Sequence, residues 1–160
     1  MQKKNLKESY IKFVEEFISA EHGWNFPISP EIICEKLNIK IESKMLPEYV
    51  KAYFVTESNT IIVNSAAGKH ARRYAIAMEL GHIVLKVKLS PFEKFQYAME
   101  LLMPVNEFIK IWQNSFPAEI TQCSLYFDVS KNHVIAKAKF LMKNGLLQNR
   151  LHKGMSDFIS

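Results

Sequence analysis

Apolar residues recur at helical spacing through one stretch in the middle of the chain, from Arg72 to Leu85, and no proline interrupts it. This pattern predicts a helix that is buried or half-buried in the protein. Two ionisable residues, Glu79 and His82, lie three residues apart inside the stretch. Residues at this spacing share one face of a helix, so the two side chains are expected to lie together. Because such groups are rarely buried unless they are paired or bind a metal ion, they require an explanation.

The segments before this helix predict two further helices and a small sheet. An amphipathic helix is expected over 6–22, and a short helix over 30–37 begins with Ser29 as its cap and Pro30 as its first residue. Residues 57–59 are expected to form a hairpin turn. β-Branched and aromatic residues predict three strands of an antiparallel sheet, at 39–45, 50–56 and 60–64.

The segments after the central helix predict helices only. Residues 91–103 are expected to form a helix that ends at Pro104, and 106–112 continues as helix. The last third predicts a helix-turn-helix-like pair in which Ser130 caps the second helix. Its two helices are expected over 118–126 and 131–141.

Together these elements predict an α+β fold, with one domain over 1–114 and a helical, helix-turn-helix-like region over 115–160. The chain has 160 residues, of which 48% are hydrophobic and 23% charged, as is ordinary for a soluble globular protein. No apolar run of about 18 residues and no signal-peptide pattern is present, so no membrane partner is expected and the cytoplasm is the expected location. The two cysteines, Cys34 and Cys123, form no Cys-x-x-Cys pair, which argues against a cysteine-based zinc site.

The residues around Glu79 match part of a metal-binding pattern. In the zinc-protease helix His-Glu-x-x-His, two imidazoles one turn apart hold the ion, and the Glu polarises the metal-bound water. Here the Glu and the second His, His82, are present, but Met78 stands at the first ligand position. A thioether suits Cu(I) better than zinc. Glu and His at this spacing also fit an ordinary hydrogen-bonded pair.

Three separated blocks extend the pattern beyond this helix: Asn59-Thr-Ile-Ile-Val-Asn64, Arg72-Arg-Tyr-Ala-Ile-Ala-Met-Glu-Leu-Gly-His82, and Glu93 followed by Ala98-Met-Glu-Leu-Leu-Met-Pro104. In this order, over most of the chain, they resemble the ImmA/IrrE family of metallopeptidases. In that family an Ile-Val-Asn strand end precedes a helix that reads Arg-Phe-Thr-x-Ala-His-Glu-Leu-Gly-His. A second helix reads Glu-Ala-Asn-x-Phe-Ala-x-x-Leu-Leu-Met-Pro.

The resemblance implies a zincin-like fold with a zinc ion, in which His82 and Glu93 are ligands and Glu79 is the general base. It also implies a regulatory protein as partner, a helix-turn-helix repressor of a phage, mobile element or stress response, which family members cleave. The chain departs from the family at Met78, in place of the first zinc His, and at Lys94-Phe95, in place of Ala-Asn.

Two other functions remain open from the sequence. Met78 favours a pseudo-peptidase that binds its partner without cutting it, because two protein ligands fall short of the usual three. The C-terminal region favours a DNA-binding regulator, although helix dipoles and inward packing also explain basic residues there. Direct DNA binding ranks below docking to a repressor. The residues that would contact DNA or a partner are Lys131, Lys137, Lys139 and Lys143.

The remaining histidines offer few substitutes for the missing zinc ligand. His70 lies eight residues before Met78, which is about 12 Å along a helix, so it cannot share an ion with His82. The sequence does not place the others, for which a solvated or capping role is the alternative. They are His22, His133 and His152.

Overall fold

The structure, a computed structural model, describes residue 8 and residues 10–16 and 26–147. Helix α1 covers residues 10–16, within the predicted 6–22 helix, and residue 8 is also helical. The other residues of that prediction, including His22, lie outside the described residues, as does His152. The other elements are α2 (Pro30–Lys36), β1 (Lys40–Lys44), β2 (Ala52–Val55), β3 (Thr60–Asn64), α3 (Lys69–Leu85), α4 (Pro91–Leu102), α5 (Val105–Asn114), α6 (Glu119–Phe127) and α7 (Lys131–Lys143). The predicted mixed α+β fold is confirmed.

The sheet is mixed, which corrects the prediction that its strands are all antiparallel. The strand order is β1-β3-β2, and β3 pairs parallel with β1 and antiparallel with β2. Strand β3 takes the centre because Ile61, Ile62 and Val63 are apolar in succession, and all five of its residues are buried. The hairpin turn between β2 and β3 is confirmed; Asn59 lies there at φ 49°, a backbone conformation that asparagine tolerates.

Asn64 at the end of β3 fixes the connection between β1 and β2. Its side-chain nitrogen lies 3.2 Å from the carbonyl oxygens of Leu46 and Pro47 and 3.0 Å from that of Val50. Its side-chain oxygen accepts from the backbone N–H of Ala66 at 3.0 Å. The buried amide thus satisfies the polar backbone of a loop that must pass the end of the central strand. In the sequence Asn64 is recognisable only as the end of an Ile-Val-Asn strand, because its bonds to the loop depend on the tertiary fold.

Helix α3 is the central helix and packs on α2, α4 and two strands of the sheet. Its contact with α4 depends on Gly81, because a Cβ atom there would lie 2.9 Å from the Cβ of Tyr97. Helix α4 begins at Pro91, as predicted, and Ser90 is its cap. The two helices therefore cross closely beside Glu79 and His82.

The C-terminal helices pack into the same core as the sheet and α3. Phe127 and Val134 are fully buried in one hydrophobic cluster together with Ile61 and Ile76. The predicted cap is confirmed, since the Ser130 hydroxyl accepts from the backbone N–H of a residue in the first turn of α7. No helix among the described residues is long and apolar enough to cross a membrane.

Candidate functional site

Glu79 is held in the interior by its place on α3, where only 6% of the residue is exposed. A buried carboxylate needs a partner, and the structure supplies one from α4. The Nζ atom of Lys94 donates to the two carboxylate oxygens of Glu79 at 2.8 and 2.9 Å. The Lys94 side chain is 23% exposed and that of Glu79 is 7% exposed. Both oxygens of the predicted general base therefore face an ammonium group.

Lys94 reaches this position because the start of α4 is well fixed. Ser90 and Glu93 form a capping box, in which the Ser90 hydroxyl accepts from the Glu93 backbone N–H at 3.3 Å. One Glu93 carboxylate oxygen accepts from the Ser90 backbone N–H at 2.9 Å and from the Ser90 hydroxyl at 2.8 Å. These bonds satisfy donors that a helix start leaves open. They also occupy an oxygen of the residue predicted to be the third zinc ligand.

His82 is half-buried near the end of α3, and its Nδ1 atom lies within hydrogen-bond distance of the Val87 carbonyl oxygen. A carbonyl can only accept, so Nδ1 carries the proton and Nε2 keeps its lone pair when the ring is neutral. Backbone carbonyls orient metal-binding imidazoles in this way in many proteins. The ring thus keeps the tautomer that a zinc ligand needs. Met78 is half-buried and packs against the hydrophobic core.

The residues present at this site do not fit a zinc ion. Among the described residues, no group of three His, Cys, Asp or Glu side chains is arranged to hold a metal. Glu79, His82 and Glu93 are therefore not brought together as the resemblance implies. A lysine ammonium beside the carboxylate also opposes a second positive charge at the same place.

Lys94 is the residue of this site that sequence reasoning missed. It was noted only as a departure from the family, at the position of an alanine. The sequence did indicate that Glu79 needs a cationic partner. It places the glutamate on a buried helix face, and the set of metal ligands beside it is incomplete. The sequence could not single out which lysine supplies it, since that depends on how α4 crosses α3.

The basic residues of the last helix are placed differently from one another. Lys131, Lys139 and Lys143 are exposed, whereas Lys137 is only 2% exposed. The Nζ atom of Lys137 donates to a carboxylate oxygen of Glu100 at 2.8 Å. Lys137 is therefore an interior ion-pair residue, which corrects its prediction as a contact for DNA or a partner.

The two other described histidines, His70 and His133, contact residues other than Glu79 and His82. His133 stacks on the Tyr74 ring with ring centroids 3.8 Å apart. Burial, and then the charge of His70, lower the pKa of His133. His70 itself lies 3.2 Å from the Asp128 carboxylate. Both rings therefore have structural surroundings, and neither joins Glu79 and His82.

A mixed sheet beside a central helix that buries a glutamate, crossed by a second helix, defines a zincin-like α+β protein. The family model of the IrrE N-terminal-like domain (Peptidase_M78) matches residues 34–139, more than half of the chain. The chain therefore belongs to this family, and the resemblance noted from the sequence is confirmed.

A solved structure also shares the fold. A Mycobacterium tuberculosis transcriptional regulator is similar to this chain with a TM-score of 0.64 and 15% sequence identity. The similarity covers 82% of this chain and 46% of that chain, so this protein spans less than half of the regulator's length. At this identity the likeness shows the fold alone. No curated protein matches the chain.

Proposed function

We propose that this protein acts in the cytoplasm as a non-catalytic member of its family, which binds a regulatory protein without cleaving it. The partner proposed is a helix-turn-helix repressor. The observation that carries this proposal is the Lys94–Glu79 ion pair, with Nζ at 2.8 and 2.9 Å from the two carboxylate oxygens. In a hydrolase of this class the glutamate must accept a proton from water. Here the charge of the carboxylate is compensated by the ammonium of Lys94, a side chain of the protein itself.

Met78 supports the same conclusion independently. A structural or catalytic zinc site uses at least three protein ligands, and a thioether is a poor third one. The ammonium of Lys94 supplies a positive charge to the interior where the family has a metal beside its glutamate. The ion pair thus keeps α3 and α4 together with no metal bound.

The partner surface proposed is the exposed side of the sheet near β2. Strand β2 lies at one end of the strand order, so one of its edges has no partner strand within the described part of the chain. Two large side chains are exposed here: Tyr49, at 86%, lies shortly before β2, and Tyr53, at 42%, lies on it. Apolar side chains beside an open edge suit an extended segment of a protein, which adds as a further strand.

Direct DNA binding is less well supported. The burial of Lys137 removes one of four proposed contacts, and Lys131, Lys139 and Lys143 remain on the surface. Exposed lysines on one helix give salt-dependent attraction to phosphate without sequence readout. The surviving basic side chains fit the rim of a protein interface equally well.

Metal content tests the proposal. The protein would be dialysed with zinc and the bound metal measured by mass spectrometry for the unaltered chain, Met78→His, Lys94→Ala and the double variant. We expect no stoichiometric zinc in the unaltered chain or in Met78→His, because Lys94 still holds Glu79. The double variant is expected to bind more zinc than the other three proteins, because it adds an imidazole and removes the ammonium; Glu93 is the proposed third ligand, and to act it has to leave its capping box with Ser90.

Lys88→Ala is the matched control, because Lys88 is an exposed lysine just before α4. It should leave metal content unchanged in either background. One zinc ion per unaltered chain, or cleavage of a cognate repressor that Glu79→Gln abolishes, would contradict the proposal. Binding of the repressor by the unaltered chain without cleavage, and with the same affinity in Glu79→Gln, would support it.

A further inference from the structure

Helices α1, α4 and α7 surround a cavity of about 280 Å³. Its volume lies close to the lower end of small-molecule sites, roughly 300 Å³. Glu79 and His82 lie outside its described lining, whereas Ser90 and Glu93, which form the capping box of α4, lie on it. The lining residues that matter for its chemistry are Tyr10, Phe92, Gln96, Glu100, Lys137 and Phe140.

The cavity has an apolar opening and a polar inner end. Phe92 is 67% exposed, so the cavity opens to solvent on the side that Phe92 lines. Tyr10 and Lys137 are 0% and 2% exposed and form the inner end. Aromatic walls with a few polar groups at one end are typical of sites for small organic molecules.

The Tyr10 hydroxyl is a buried donor without a partner. It makes no hydrogen bond to any described residue. Burial, and then the negative charge of Glu100, raise the pKa of Tyr10, so the phenol keeps its proton. A buried hydroxyl left unpaired is unfavourable, so an acceptor placed in the cavity would gain a hydrogen bond that the protein alone does not supply.

Lys137 adds further donors at the same end. Its ammonium carries three N–H groups, and among the described residues only Glu100 accepts from it, at 2.8 Å. The second Glu100 oxygen accepts from the backbone N–H of Val105 at 3.1 Å. Tyr10, Glu100 and Lys137 all line the cavity, so the hydroxyl and the ammonium are both donors of this one site.

We propose that this cavity binds a small, mainly apolar molecule that carries a neutral oxygen acceptor, such as an amide or ester carbonyl. The apolar body contacts the Phe92 and Phe140 rings. The oxygen accepts from the Tyr10 hydroxyl and from Lys137. A neutral acceptor is favoured because the charges of Lys137 and Glu100 already compensate one another, so an added ionic group would be buried without a counter-charge.

Matched probes test the chemistry of the site in the full-length protein. 3-Phenylpropanamide is compared with propylbenzene, which lacks the acceptor, and with 3-phenylpropylamine, which carries a cation. Binding is followed by titration in two-dimensional NMR. We expect saturable binding of the amide, and at least about tenfold weaker binding of the other two, the size expected for one buried hydrogen bond.

The variant Tyr10→Phe removes the hydroxyl and keeps the ring. Because the hydroxyl has no partner among the described residues, the variant should fold with unchanged or raised melting temperature, yet bind the amide about tenfold more weakly. Tyr126→Phe is the matched control, since the Tyr126 hydroxyl bonds to Glu107 outside the cavity. It should bind the amide as the unaltered chain does.

A second variant, Gln96→Trp, fills the cavity from α4 and should abolish binding of the amide. It tests the site independently if Tyr10→Phe does not fold. The proposal is overturned if the amide does not bind, if propylbenzene binds equally well, or if the amide binds to folded Tyr10→Phe or Gln96→Trp with unchanged affinity.

Discussion

Lys94 and Glu79 form an interior ion pair whose energetic value can be measured. Lys94→Met keeps the length of the side chain and removes its charge, which leaves a carboxylate that is 7% exposed without its counter-charge. We expect a loss of about 3 kcal/mol in the free energy of unfolding, measured by urea denaturation at pH 7. Adding Glu79→Gln to Lys94→Met should recover at least half of the loss, because no buried charge remains.

Lys110→Met serves as the exposed comparison for this pair. Lys110 bonds to Glu107 at 3.4 Å, and its side chain is 64% exposed. Its removal should change the free energy of unfolding by less than about 0.5 kcal/mol. If Lys94→Met were equally mild, the carboxylate of Glu79 would have to be satisfied in another way, and the ion pair would lose its structural importance.

His133 gives the stability of the protein a dependence on pH. Its ring stacks on Tyr74, and its Nδ1 atom has no hydrogen-bond partner among the described residues. Since burial and the nearby His70 lower its pKa, the unfolded chain binds a proton more readily than the folded one. The stability is fully present above the unfolded pKa, about 6.5, and is lost as the pH falls toward the folded value.

The variant His133→Phe keeps a ring against Tyr74 and removes the titration. We expect the variant and the unaltered protein to differ by a constant amount above about pH 7, and the variant to gain relative stability as the pH falls below about 6.5. Urea denaturation at several pH values measures this difference. Parallel pH profiles for the two proteins would show that His133 does not titrate differently on folding.

At the scale of elements, the helices followed from the sequence more directly than the sheet did. Helical periodicity and the caps Ser29, Ser90 and Ser130 are local signals, and each predicted helix among the described residues is present. Strand order is not local. The continuous apolar run Ile61-Ile62-Val63 was the available sign of a central strand buried on both faces, but the loop that brings β1 beside it depends on Asn64.

The crossing of α3 and α4 yields a prediction about glycine. Alanine is a better helix former than glycine by about 1 kcal/mol, so local propensity alone would make Gly81→Ala stabilising. A Cβ atom at Gly81 would, however, lie 2.9 Å from the Cβ of Tyr97. Because that atom is fixed close to the α4 backbone, the helices must separate, and we expect a net loss of about 1–2 kcal/mol in urea denaturation.

Gly68→Ala is the natural control for this substitution. Gly68 precedes α3, and a Cβ atom there would have no other atom within 4 Å. Since Gly68 is the N-cap of α3, where alanine is less favourable, its replacement should cost about 0.5 kcal/mol, less than is expected for Gly81→Ala. An unchanged or raised stability of Gly81→Ala would mean that α4 can move outward at little cost, which would weaken the case that Lys94 is held rigidly against Glu79.

At the scale of the whole molecule, the C-terminal helices share the core of the region before them. The division at 114 predicted from the sequence remains a prediction, and the matched family region, 34–139, extends across it. Lys137 shows why the prediction of a contact for DNA or a partner was wrong at one of the four lysines of α7. Basic residues along one helix look alike in sequence, and only the position of Glu100 on α4 decides that Lys137 faces inward. The same holds for Lys94, because interhelical contacts are set by tertiary packing.

Asp128 links the turn between α6 and α7 to the start of α3. Its carboxylate lies 2.7 Å from the Lys69 Nζ atom and 3.4 Å from a guanidinium nitrogen of Arg73. Burial alone would raise the pKa of Asp128, but hydrogen bonds from Lys69 and His70 and the charge of Arg73 outweigh it and lower the pKa. This contact therefore stabilises the folded protein above the ordinary aspartate pKa of about 3.9, and the stabilisation is lost as the pH falls through the lower, folded value.

Asp128→Asn tests whether this link holds the molecule together as one unit. Asparagine tolerates the left-handed backbone found there, φ 51°, so the substitution removes the charge and leaves the turn intact. We expect a loss of about 1–2 kcal/mol at pH 7 that shrinks below about pH 4, with circular dichroism and tryptophan fluorescence reporting one shared unfolding transition. Separate transitions, or a loss that persists at about pH 2, would show that the C-terminal helices are stabilised independently of α3.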